Sequence, residues 1–139
     1  MSALYITVWW GSLVSRYMDW LRQSERNLSS AHINYREGLY EEACFESHQA
    51  AEKAVKALLN YFHRERRGHS LLYLVSEVSV EVPEDVRRCV LELDKHYIPT
   101  RYPDVYDEGA PLDYYSREDA DRCLECAKRI VEWVKSIVR

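Results

Sequence analysis

Residues 43–62, ACFESHQAAEKAVKALLNYF, decide the fold. Ala43, Ser47, Ala50, Ala54, Leu58 and Tyr61 recur at three- and four-residue steps, and Phe45, Ala51, Val55 and Phe62 widen the same face. This is one side of an amphipathic helix, uninterrupted by glycine or proline. Gly68 would end it after a basic tail of His63, Arg64, Arg66 and Arg67. Cations suit a helix C-terminus, where unpaired carbonyls collect. Upstream, Tyr17, Trp20, Leu21, Ser24, Leu28, Ala31 and Tyr35 trace a second long stripe that Gly38 closes. Downstream, Ser70 caps a shorter helix carrying Leu71, Leu74, Val75 and Val78. Pro83, with Glu84 and Asp85 behind it, opens another that carries Val86, Val90, Leu93 and Tyr97 and stops at Pro99. Ser116 and Asp119 approximate a capping box for a last helix, along which Ala120, Cys123, Ala127, Ile130, Val134 and Ile137 form the apolar stripe. The expected fold is all-α, an up-and-down antiparallel bundle of four to five helices. A long loop over residues 99–115 precedes the last helix.

The chain of 139 residues has one domain's length, and its 47% hydrophobic and 30% charged residues exclude disorder as a global description. A net charge of −4 excludes a general polyanion binder and leaves room only for a local basic patch. No basic segment precedes the apolar residues 1–10, so they do not read as a signal peptide, and no run approaches a membrane span. The expectation is a cytoplasmic protein with reduced thiols at Cys44, Cys89, Cys123 and Cys126. Leu4–Trp10 is rich in β-branched and aromatic residues and lacks a helical period, so it reads as a strand-like segment that packs on the bundle or pairs with another chain. Met18, at the head of the first strong period, is an alternative natural start. The apolar Tyr5, Ile6, Val8, Trp9 and Trp10 exceed what a small monomer exposes, and a homodimer is expected.

Tyrosine is unevenly spread. There are 11 Tyr against 2 Phe, and Tyr97, Tyr102, Tyr106, Tyr114 and Tyr115 fall beside Pro99, Pro103 and Pro111. Within this stretch, prolines bias Ile98 and Tyr102 toward extended geometry, so Tyr97, Arg101, Tyr102 and Asp104 are held in fixed directions. Arginine offers a fork for phosphate, and tyrosine a flat face for a base. Tyr106, Tyr114 and Tyr115 are assigned to loop packing. The run His63–His69 is the one dense basic segment and reads equally as a phosphate contact or a solvated helix end. Glu52 and Lys56, one turn apart, read as a polar helix face, with Gln49 and Lys53 beside them. Cys123-x-x-Cys126 lies inside a helix, with Cys123 on its apolar stripe, and reads as core rather than as a zinc or redox motif. No metal site and no cofactor are expected.

Three ordered blocks then stand together: Tyr40-x-x-Ala43-x-Phe45-x-Ser47-x-Gln49-Ala50-Ala51-Glu52-Lys53-Ala54-Val55-Lys56-Ala57-Leu58-Leu59, His69-Ser70-Leu71, and Leu93-Asp94-x-x-Tyr97-Ile98-x-Thr100-Arg101-Tyr102-Pro103-Asp104. Over roughly residues 18–138 the chain resembles the HEPN domain family (higher eukaryote and prokaryote nucleotide-binding), in its nucleotidyltransferase-associated branch. The division that follows is an extension over residues 1–17 and a bundle domain over 18–139. The resemblance implies a helical bundle, commonly dimeric, that binds a nucleotide of ATP or GTP type, or RNA. It also implies a separately encoded minimal nucleotidyltransferase as partner, in a toxin–antitoxin-like module. Lys53, His69, Tyr97, Arg101, Tyr102 and Asp104 are the expected nucleotide-binding residues. Many members of the family are metal-independent ribonucleases with an R-x(4–6)-H motif. Arg64 and His69, and Arg26 and His32, meet that spacing, but in the region where the nucleases carry it the order is reversed, His96 before Arg101. His96, Arg101, Arg64 and His69 are therefore the candidates for an alternative, endoribonuclease reading, and a non-catalytic interaction subunit is the third.

Overall fold

In a computed structural model, which describes the backbone of residues 2–138 and the side chains of residues 16–138, the long stripes form helices. These are α1 (Ser2–Arg36), α2 (Tyr40–Tyr61), α3 (Leu71–Ser76), α4 (Glu84–Asp94), α5 (Pro111–Tyr114) and α6 (Arg117–Ile137), with a 3-10 turn at Pro103–Val105. The fold is an all-α bundle with no strand among the described residues. No described helix is long and apolar enough to cross a membrane.

The segment expected to be strand-like is instead the first part of α1. Helix propensities of β-branched and aromatic residues fall only a few tenths of a kcal/mol below the good formers, and extending an existing helix needs no new nucleus. The side chains of Tyr5, Ile6, Val8, Trp9 and Trp10, on which the dimer expectation rests, lie outside the described residues. At its other end α1 stops where expected. Gly38 takes φ 78°, and the amides of Gly38 and Leu39 donate to the carbonyls of Tyr35 and Asn34. This is the left-handed closure that glycine makes without a Cβ clash.

α2 is the spine. Ala43, Ala50, Ala51, Ala54 and Ala57 are fully buried on it, so neighbouring helices approach its backbone closely. Ser24 on α1 uses that proximity, donating its hydroxyl to the Ala50 carbonyl at 2.6 Å. Leu58, Leu71, Leu93, Ile130 and Val134 close the core with no exposed surface. α2 ends at Tyr61, well short of Gly68. His63, at φ 61°, makes the left-handed turn that a glycine was expected to make, and Arg64 N donates to the Leu59 carbonyl at 2.8 Å. α6 begins as expected, with Ser116 and Asp119 in a reciprocal capping box. Cys89 on α4 and Cys126 on α6 are joined in a disulfide, so only Cys44 and Cys123 are free thiols. This departs from the all-reduced expectation, because α4 and α6 bring the two Cα atoms to 4.9 Å.

The stretch before α6 is less loop-like than its prolines imply. Residues 95–101 are consecutive turns, and extended backbone comes at Tyr102, directly before Pro103. Tyr106 and Tyr114 stack on each other with ring centroids 4.0 Å apart. Tyr114 donates its hydroxyl to the Glu108 carbonyl, and Tyr106 donates its own to the Pro99 carbonyl. Two of the three tyrosines left to loop packing thus hold the loop against itself.

Asp94, the last residue of α4, ties three helices together. One carboxylate oxygen accepts from the Leu71 amide at 2.8 Å, the other from the Leu72 amide at 2.9 Å and the Ser70 hydroxyl at 3.1 Å. On the α2 side, His48 Nε2 lies 3.2 Å away. A carboxylate at a helix start satisfies amides that have no intrahelical partner. Burial pushes the Asp94 pKa up, but hydrogen bonds from His48, Leu72 and Leu71 outweigh it and hold the carboxyl below its ordinary value. A depressed carboxylate stabilises the fold above its unfolded pKa, and that contribution disappears as pH falls through the folded value. Asp94→Asn is therefore expected to lose about 2–3 kcal/mol at neutral pH. In urea titrations at stepped pH, its gap from wild type should shrink below the ordinary aspartate range. A gap independent of pH would contradict the assignment.

Candidate functional site

The site grows from two polar side chains set into the buried face of α2. His48 and Glu52 are one turn apart and 0% and 3% exposed. Buried polar groups need partners, and these have a connected set. His48 Nε2–H points to Asp94, which leaves Nδ1 to accept from the Gln49 amide at 3.3 Å. The same amide reaches Glu52 Oε1 at 3.3 Å, and Gln49 Oε1 accepts from Lys53 Nζ at 3.3 Å. Glu52 also accepts from Lys56 Nζ at 3.0 Å and faces His69 Nδ1 with both oxygens at 3.1 Å. His69, just before α3, therefore donates its Nδ1 proton to Glu52 and leaves Nε2 on the outer edge of the ring. Burial pulls the Lys53 ammonium below its ordinary pKa, with Glu52 and Glu46 opposing.

Over this layer lies an aromatic one. Tyr97 stacks on His69 at 5.0 Å and 19°, and its ring also meets His48 at 4.9 Å. The Arg101 guanidinium sits 4.2 Å from the Tyr97 centroid, 4.9 Å from Phe45 and 4.9 Å from Tyr102. Its Nε donates to the Tyr97 carbonyl at 2.9 Å. The turn beneath is pinned by buried Thr100, whose hydroxyl donates to the His96 carbonyl at 2.7 Å. Among the described residues no carboxylate pairs with Arg101 or with Lys53. Arg101 is thus a cation oriented by ring faces and one carbonyl, with its two terminal nitrogens left for an outside acceptor.

Of the residues singled out in the sequence, the structure brings together His69, Tyr97, Arg101 and Tyr102, and Lys53 joins their support through Gln49, His48 and Glu52. Asp104 lies in the 3-10 turn, exposed, and no hydrogen bond or ion pair among the described residues joins it to them. Arg64 turns away, donating to the Glu77 carbonyl at 3.1 Å, and Arg66 pairs with the Glu77 carboxylate at 2.6 Å. His96 belongs to another cluster. Its Nε2 faces Glu92 at 2.9 Å, its Nδ1 faces the Tyr115 hydroxyl at 2.7 Å, and its ring is placed between α4 and α6. His96 and Arg101 therefore do not form a pair, although five positions separate them in the chain. Phe45, His48, Glu52 and Asp94 complete the site without having been assigned a role in it. The available signal was a histidine and a glutamate one turn apart inside an alanine-rich helix. Beyond Lys56, whose ammonium lies 5.5 Å over the Trp20 ring, a separate cleft of about 240 Å³ is lined by Trp20, Asn60, Arg66 and Arg67 among others.

Comparison with known proteins supplies the family. A model of the HEPN domain matches residues 17–137. The crystal structure of TT1696 from Thermus thermophilus superposes with a TM-score of 0.85 at 40% identity, over 87% of this chain and 97% of that one. ST0689, described as an archaeal HEPN homologue, gives 0.77 at 49% identity over 89% and 98%. The HEPN domain protein TM0613 from Thermotoga maritima gives 0.70 at 31% over 86% and 96%. A protein of Methanocaldococcus jannaschii named "Putative toxin MJ1304" is 27% identical over 130 residues, 86% of each chain. With a family match over most of its length and structural relatives above 30% identity that cover nearly all of it, the chain belongs to the HEPN domain family.

Proposed function

We propose that the chain binds a nucleotide of ATP or GTP type, or the phosphate of an RNA, in the groove between α2 and the Tyr97–Tyr102 turn. The observation that carries this reading is Arg101, a guanidinium oriented on three rings with no carboxylate partner among the described residues. A planar fork held this way accepts two phosphate oxygens side by side. Lys53, less hydrated than a surface lysine, adds a point charge, and the outward Nε2 of His69 adds a donor or an acceptor. Tyr97 already carries His69 and Arg101 and serves as the platform. Tyr102, 46% exposed, is the ring with surface left for a base.

In this reading the protein is a cytoplasmic homodimer, its residues 1–17 are an extension to the bundle domain over 18–139, and it works with a separately encoded minimal nucleotidyltransferase in a toxin–antitoxin-like module. The family match that begins at residue 17 supports the division between extension and bundle, and the name of the M. jannaschii relative supports the toxin-like role. Titration with ATP and GTP tests the site. Arg101→Ala should weaken binding by roughly tenfold or more, the value of one charge-assisted hydrogen bond or better. Equal affinity in wild type and variant would remove Arg101 from the site.

The Glu52–His69 contact favours a second reading, a metal-independent endoribonuclease. Glu52 fixes the His69 tautomer with Nε2 outward, on the ring stack that also carries Arg101. His69 would take the proton of a ribose 2′-hydroxyl as its oxygen attacks the adjacent phosphorus. Arg101 would stabilise the charge on the phosphorane, and the 5′-oxygen would leave with a proton from water. In EDTA, purified wild type should cleave RNA to 2′,3′-cyclic phosphate ends, and Glu52→Gln should slow cleavage about 10²-fold or more. Intact RNA after incubation with wild type would end this reading and leave phosphate binding standing.

A further inference from the structure

A second cluster of reactive side chains lies away from the Arg101 groove, where α2, the end of α4 and the start of α6 converge. Cys44 on α2 and Cys123 on α6 are both fully buried. One ligand atom from each, together with a ring nitrogen of His96, lies within 4.8 Å of the other two. We propose that Cys44, Cys123 and His96, with the Tyr115 hydroxyl in the fourth position, form a closed structural site for one thiophilic divalent cation, best matched by zinc.

The donor set argues for the ion. Two sulfurs and an imidazole suit zinc, whereas magnesium and calcium take oxygen ligands. The imidazole is already oriented as a ligand should be. Glu92 Oε2 stands 2.9 Å from His96 Nε2, so the ring proton resides there and Nδ1 keeps its lone pair for an ion. A carboxylate behind a histidine is the usual support for a metal-bound imidazole. The Tyr115 hydroxyl now donates to Nδ1 at 2.7 Å; an entering ion would replace that hydrogen bond and take the hydroxyl oxygen as its fourth ligand. Charge balance points the same way. Two thiolates neutralise a dication, so an ion with a neutral imidazole and a neutral phenol buries no net charge, whereas a monovalent copper ion would leave one negative charge uncompensated.

The geometry is near closure. Zinc–sulfur bonds of about 2.3 Å and zinc–nitrogen bonds of about 2.0 Å place tetrahedral ligand atoms about 3.5–3.8 Å apart. Side-chain rotation of about 1 Å from the present separations would reach that. Cys44 would give up a long contact to the Asp119 carbonyl at 3.5 Å. The Cys-x-x-Cys spacing is not the ligand pair, since Cys126 is taken by its disulfide to Cys89. Three separate stretches of chain meet at this point, so an occupied site would stabilise the bundle and leave the Arg101 side unchanged.

Cobalt titration of the full chain, without reductant so that the Cys89–Cys126 disulfide persists, tests the site. One equivalent should give thiolate-to-cobalt charge-transfer absorption with tetrahedral d–d bands, displaced by zinc, and zinc should raise the melting temperature. Glu92→Gln, a change at the partly exposed edge, should weaken cobalt binding by about tenfold or more, and Cys44→Ser with Cys123→Ser should abolish the charge-transfer band. Folded wild type, with both thiols shown free by alkylation of a denatured sample, that gives no cobalt–thiolate absorption would overturn the proposal. So would a band that survives in the double serine variant. The wild-type spectrum decides even where the cysteine variants fail to fold.

Discussion

A single carboxylate at the end of α4 sets the geometry of everything above it. Asp94 accepts from the two leading amides of α3 and from Ser70, and accepts a further hydrogen bond from Nε2 of a histidine buried in α2. α3 has only six residues, too few to be stable as a helix by itself. Its position, and so that of His69 just ahead of it, comes from Asp94 and from the core contacts of Leu71 and Leu74. Once His69 is placed, Glu52 can hold its Nδ1 and Tyr97 can stack on its face. Arg101 then has a platform. The sequence of dependence runs from a half-buried, hydrogen-bonded carboxylate, through a short helix, to a cation on the surface.

The same logic explains why Arg101 stays open. An exposed arginine generally finds a carboxylate or moves freely in water, and either outcome lowers its usefulness to a ligand. Here three rings and one backbone carbonyl hold it, and the nearby acids are spent elsewhere. Glu52 serves His69, Lys56 and Gln49, and Asp94 serves α3 and His48. Acids are abundant in the chain as a whole, yet none is paired with this cation or with Lys53 among the described residues. That separation of charge within an acidic protein is what supports the proposal that phosphate binds beside Arg101.

The bundle was largely readable from the sequence, because its signals are local. The stripe of α6, its Ser116 cap and the stop at Gly38 each depend on a few neighbouring residues, and each stands where those residues put it. Misreadings came where a local signal was weak or a distant contact decided. Leu4–Trp10 has strand-like side chains but continues a helix already nucleated downstream. His63 takes a left-handed conformation that its identity does not announce. The block from Tyr97 to Tyr102 stands out by its residue types, and the structure does gather Tyr97, Arg101 and Tyr102. Its partners on α2 do not stand out, since a histidine and a glutamate on a helix ordinarily read as a solvated face. His96 shows the limit most plainly: five positions from Arg101, it points into the core, because a turn over 95–101 sends the two side chains apart.

A preformed Arg101 on the Tyr97 platform, without a carboxylate partner among the described residues, is the proposed seat of the phosphate. A crystal structure of the chain grown with ATP tests it most directly. The account predicts a phosphate group within about 3 Å of the Arg101 terminal nitrogens, Lys53 and His69 beside it, and the ring contacts of Arg101 kept. Phosphates seated instead in the Trp20–Arg67 cleft, or an Arg101 that leaves Tyr97 to reach the ligand, would contradict it.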